Sequence, residues 1–130
     1  MATVLVDNNV VGTSTGTTEA VTAALPFDSP VPQGRVRLRV NIQITTGTGG
    51  TQITVKIRQG PTSGITGAVV ATTGTLVTVA SDTYTFQLEG LDTTDYIFGP
   101  GAGGGWVVTV TENSGTWTVN SIYACAELVP

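Results

Sequence analysis

Histidine is absent from this chain of 130 residues, cysteine occurs once, and charged side chains make up only 11% of it. Each shortage removes a class of chemistry. Without histidine there is no Ser-His or Cys-His pair to generate a nucleophile. A single cysteine with no histidine cannot assemble a zinc site, and no cofactor is expected. Cys125 has no partner for an internal disulfide, which points to synthesis in a reducing cytoplasm. No apolar run approaches the roughly 18 residues that a membrane helix requires. The opening stretch, Met1 to Asp7, lacks the basic region and apolar core of a signal peptide. A net charge of −4 repels phosphate overall, so neither nucleic acid nor a membrane is an expected partner.

Alternation fills the space that these shortages leave. Val36, Leu38, Val40, Ile42 and Ile44 point one way while Arg37, Arg39, Asn41 and Gln43 point the other, the period of a half-buried strand. Ile53, Val55 and Ile57, then Tyr84, Phe86 and Leu88, then Trp106, Val108 and Val110 repeat the pattern. Threonine is abundant, and a β-branched side chain with a wet hydroxyl suits the solvent face of a sheet. No window carries the three-and-four spacing of an amphipathic helix. The chain therefore reads as all-β with essentially no helix, an antiparallel two-sheet jelly-roll sandwich of about eight to ten strands. Residues 1–18 read as an N-terminal extension or arm, and 19–130 as one domain. Val40, Ile42, Val55, Ile57, Phe86, Val108 and Val110 are the expected shared core.

The chemistry-bearing residues mostly have plain structural roles. Asp92 and Asp95 fit turn caps better than a calcium loop, which needs more acidic ligands. Cys125 lies in an apolar strand setting, where a thiol acts as a small hydrophobe. The chain is not expected to be an enzyme. The cations differ. Arg35, Arg37, Arg39, Lys56 and Arg58 are the whole basic complement, confined to one short stretch. If 36–44 and 53–57 form a hairpin, Arg39 faces Arg58, and like charges placed opposite call for an anionic partner. If the two segments lie in opposite sheets, the patch splits.

The pattern resembles a family. Arg37-Leu38-Arg39-Val40-Asn41-Ile42, the turn Gly47-Thr48-Gly49-Gly50, and Ile53 to Gly60 resemble a small jelly-roll module of bacteriophage structural proteins, tumour-necrosis-factor-like in architecture. Leu88 to Asp92 and the run from Trp106 through Ser114-Gly115 to Ala124 are similar too, so the likeness spans about residues 17–128. It implies a protein of the virion surface, usually trimeric: a capsid decoration protein binding the shell's major capsid protein and itself. The alternative is a receptor- or glycan-binding fibre tip using loops 61–67 and 92–105. The last strand adds an expectation of its own. Trp117, Val119, Tyr123 and Cys125 alternate against Ile122, Ala124, Ala126 and Leu128, so two apolar faces need cover. One is expected to meet the core, and the set Ile122, Ala124, Ala126 and Leu128 is the candidate subunit interface of a homotrimer.

Overall fold

The computed structural model describes residues 3–10, 13–15, 18–26, 34–60, 64–96, 105–114 and 116–129. Ten strands form: β1 (Thr3–Val10), β2 (Thr13–Thr15), β3 (Ala20–Pro26), β4 (Gly34–Thr45), β5 (Gln52–Gln59), β6 (Val69–Thr72), β7 (Leu76–Val77), β8 (Thr83–Tyr96), β9 (Gly105–Glu112) and β10 (Trp117–Val129). They divide into two antiparallel sheets. Sheet A runs β1-β10-β4-β8 with β2 also on β10, and sheet B runs β3-β9-β5-β6 with β7 also on β5. The chain changes sheet between β2 and β3, β3 and β4, β4 and β5, β7 and β8, β8 and β9, and β9 and β10. That is the crossing pattern of a jelly roll.

The alternating residues fill the space between the sheets. Val36, Leu38, Val40, Ile42 and Ile44 from β4 meet Ile53, Val55 and Ile57 from β5, with Trp106, Val108, Val110, Trp117 and Val119 buried among them. Phe86 packs against this cluster from its margin. Buried carboxylates close the two ends. At one end Asp92 of β8 accepts hydrogen bonds from Trp106 Nε1 at 2.9 Å and Gln59 Nε2 at 2.8 Å, tying sheet A to sheet B. At the other, Glu112 of β9 accepts from the backbone amides of Gly47 at 3.4 Å and Ser114 at 3.1 Å. Gly50 lies so close to the Glu112 carboxylate that a Cβ there would collide with it.

Three points are decided. Of the two arrangements left open for 36–44 and 53–57, the structure has the second, because the 44–53 segment connects strands of opposite sheets. Residues 1–18, read as an arm, supply β1 and β2 as partners of β10 within sheet A. The third concerns the last strand. The register of β10 against β4 shifts between Val119 and Ser121, and this bulge reverses the side-chain phase. Trp117 and Val119 before it, and Ile122, Ala124 and Ala126 after it, all point into the one core. Leu128, also buried, lies against Gly34. The candidate interface of Ile122, Ala124, Ala126 and Leu128 is thus covered from within.

Candidate functional site

Because β4 and β5 lie in opposite sheets, the five cations fall into two groups. On sheet B, Arg58 grips Glu19 with both oxygens: Nε donates to Oε2 at 2.6 Å and Nη2 to Oε1 at 2.9 Å. Its remaining donor, Nη1, meets the Gly67 carbonyl at 2.8 Å. Thr109 Oγ1 donates to Glu19 at 2.6 Å, and Lys56 Nζ lies 3.9 Å from it. The Arg58 guanidinium holds the Glu19 carboxyl down at a pKa of about 2, with Thr109 and Lys56 assisting and burial opposing. The same contact raises the pKa of Arg58. Lys56 and Arg58 therefore belong to an internal clamp that fastens the chain before β3 across β9 to β5.

On sheet A the geometry is looser. Cross-strand register lays out the outer face as rungs: Glu127–Arg37–Leu91, Cys125–Arg39–Glu89, Tyr123–Asn41–Gln87 and Ser121–Gln43–Thr85, taken across β10, β4 and β8. The first two rungs carry charge. Arg37 Nε lies 3.4 Å from Glu89, Arg39 Nε 3.9 Å from Glu89 and Arg39 Nη1 3.6 Å from Glu127. None of these is a close bidentate pair. The Arg39 side chain keeps 51% of its surface exposed, against 16% for Arg58. Arg35, next along the same face of β4, is exposed and pairs with no described carboxylate. Among the described side chains of this face, three cations thus stand against two carboxylates, Glu89 and Glu127.

The other two rungs carry no formal charge. Asn41, Gln43, Gln87, Thr85 and Ser121 are exposed, and Tyr123 keeps 41% of its surface accessible. Two shallow depressions, of about 390 and 320 Å³, meet at Asn41. Arg39, Gln87 and Glu89 line the first; Gln43, Thr85, Ser121 and Tyr123 line the second. Cys125, on the adjacent charged rung, is buried, with Sγ 3.8 Å from Glu127 Oε1. Of the loops expected to reach a glycan, residues 61–63 and 97–104 lie outside the described set. Sequence reasoning missed Tyr123 as a surface residue, since only the bulge after Val119 turns it outward.

No protein-family model matches the chain, and no curated protein does either. Solved structures do align with it. It is similar to a subunit of the Bacillus endospore appendages, a family of disulfide-linked pili, with 14% identity and a TM-score of 0.50 over 100% of this chain and 92% of that one. The Eiger TNF of S. frugiperda aligns over 98% of this chain and 91% of that one at 8% identity and a TM-score of 0.46. A pentameric capsid protein from metagenomic phage sequences aligns over 91% of this chain and 57% of that one at 16% identity and a TM-score of 0.32. These likenesses are of fold alone.

Proposed function

We propose that this chain is a non-enzymatic structural protein of a virion surface, a capsid decoration module that binds the shell's major capsid protein and further copies of itself, as a trimer. The observation that carries the reading is the arginine row of β4. Arg35, Arg37 and Arg39 face outward at alternate positions, under-compensated by Glu89 and Glu127, in a chain whose remaining charge is acidic. A row of cations on a rigid sheet presents donors at fixed spacing to an acidic surface, and a second copy of an acidic chain offers one. Lys56 and Arg58, spent on Glu19, take no part.

Exposed pairs are worth about 0.2–1 kcal/mol each, so several must act together, and salt weakens them. Sedimentation of the full chain tests this directly. The wild type is expected to associate at low ionic strength and to dissociate as salt is raised. The Arg35→Gln/Arg37→Gln/Arg39→Gln variant is expected to stay monomeric in both. Association of that variant equal to wild type at both ionic strengths overturns the reading. A density map of virions that carry the protein would then place or refute it on the shell.

A further inference from the structure

We infer that the outer edge of β8, over Thr83–Leu88, is a docking site for the same strand of a second copy, the two edges pairing antiparallel about a two-fold axis at Thr85. The contact is separate from the arginine row, which lies on the face of sheet A and not along its edge.

β8 is the last strand of sheet A and pairs with β4 alone. Its register against β4 is unbroken from Thr83 to Asp92, so its far side offers a continuous run of backbone donors and acceptors. Apart from those of β4, no described backbone group bonds to residues 83–88. β6 approaches only further on, where Ala71 and Val70 pack against Gly90. An edge of this kind recruits a further strand unless something blunts it. The other described edges are all blunted. β1 has a bulge between Val4 and Val6 and carries Asp7. β3 has one between Val21 and Ala23 and ends on Pro26. β6 has four residues and a shifted register against β5, and β7 has two. Residues 83–88, Thr-Tyr-Thr-Phe-Gln-Leu, hold no charge, no proline and no bulge.

The core is also open along this edge. On β4, Ile44 and Ile42 are 0% and 1% exposed. Their cross-strand partners Tyr84 and Phe86 are only half-buried, with their rings stacked at 6.2 Å between centroids. A strand added here covers both.

The occupant follows from what the edge would face. About Thr85, Tyr84 of each copy stands opposite Phe86 of the other, and Thr83 opposite Gln87. Cross-strand aromatic pairs stabilise a sheet, and like charges opposite one another destabilise it. This register gives the first and avoids the second, since the nearest carboxylates, Asp82 and Glu89, meet Leu88 and Ser81. A two-fold pairing uses up both edges, so it closes as a pair rather than growing into a fibre. Six residues at about 3.4 Å each make a contact about 20 Å long. Interfaces below about 1,200 Å² are weak, so the pairing leaves sedimentation at micromolar concentration unchanged and acts between copies already held side by side.

Disulfide trapping of the full chain tests the inference, at high salt so that the arginine row takes no part. Thr83, Thr85 and Gln87 are exposed, so cysteine at each leaves the core in place, and Cys125→Ala removes the native thiol. In that background Thr85→Cys puts its two sulfurs on directly paired residues, about 5.5 Å apart at Cα and within disulfide reach. Thr83→Cys puts its two four residues apart along the strands, about 14 Å and out of reach. In a glutathione redox buffer, Thr85→Cys is expected to form the covalent dimer roughly tenfold faster than Thr83→Cys. Thr83→Cys mixed with Gln87→Cys is expected to cross-link as readily as Thr85→Cys. Rates for Thr85→Cys and Thr83→Cys that are equal, reversed or nil overturn the inference, as does a mixture no faster than its components. The arginine-row reading is judged by its own triple variant as salt is varied, so either can fail alone.

Discussion

Glu19 shows how far one carboxylate can act when its partners are held for it. Arg58 and Thr109 converge on it from β5 and β9, and partial burial keeps water from competing. Replacing it as Glu19→Gln removes the charge but leaves the guanidinium, so a loss of roughly 1–3 kcal/mol is expected at neutral pH, read as a lower denaturant midpoint. The pH dependence has a definite sign. The folded pKa of about 2 lies below the ordinary 4.5, so the carboxylate stabilises the fold fully above pH 4.5. That contribution, at most roughly 3 kcal/mol, shrinks as pH falls and is gone below about pH 2. The gap between wild type and Glu19→Gln should therefore close as the solution is acidified, and a gap that widens would contradict the clamp. Asp92 gives a parallel case without a cation in the contacts described. Asp92→Ala removes the acceptor that Trp106 Nε1 and Gln59 Nε2 share, Gln59 keeping Thr94 Oγ1 at 3.0 Å, and a cost of about 1–3 kcal/mol is expected in the same assay.

Some strands are described by sequence alone, while β1 and β2, read as an arm, and the faces of β10 are not. In β4, β5 and β9 the alternation of apolar side chains runs unbroken, and Val40, Ile42, Val55, Ile57, Val108 and Val110 fill the core as their spacing requires. In β10 the same reasoning places Trp117 and Ile122 on opposite faces. A single irregular step between Val119 and Ser121 brings them to the same one, and nothing in Asn120-Ser121 distinguishes a bulge from an ordinary wet pair. The outward-facing position moved with it, from Ala124 and Ala126, which are buried, to Tyr123. The cation pairing was equally hidden, because the stretch between β4 and β5 is short enough for a hairpin yet crosses between sheets. Ala124→Leu tests the phase. A side chain forced into the packed core should cost about 1–3 kcal/mol in stability and leave the assembled mass unchanged. A stable protein with altered assembly would restore Ala124 to the surface.

For the molecule as a whole, the jelly roll accounts for the low charge and the many threonines: two sheets each bury one face and leave the other wet. Partner specificity then rests on what stands on the outer faces, a clamp on sheet B and four rungs on sheet A. The central position of β10 has a further consequence, for the order in which the chain can fold. β4 has β8 on one side, but its other edge gains β10, and β10 in turn β1 and β2, only after Ala126 has left the ribosome. Until then one edge of β4 stands unpaired on the nascent chain, the state most open to aggregation and to chaperones. Non-local closure of this kind is slow, on the millisecond-to-second scale of all-β domains. Nascent chains stalled before Trp117 are expected to remain sensitive to protease throughout, and to gain resistance in one step once β10 is released.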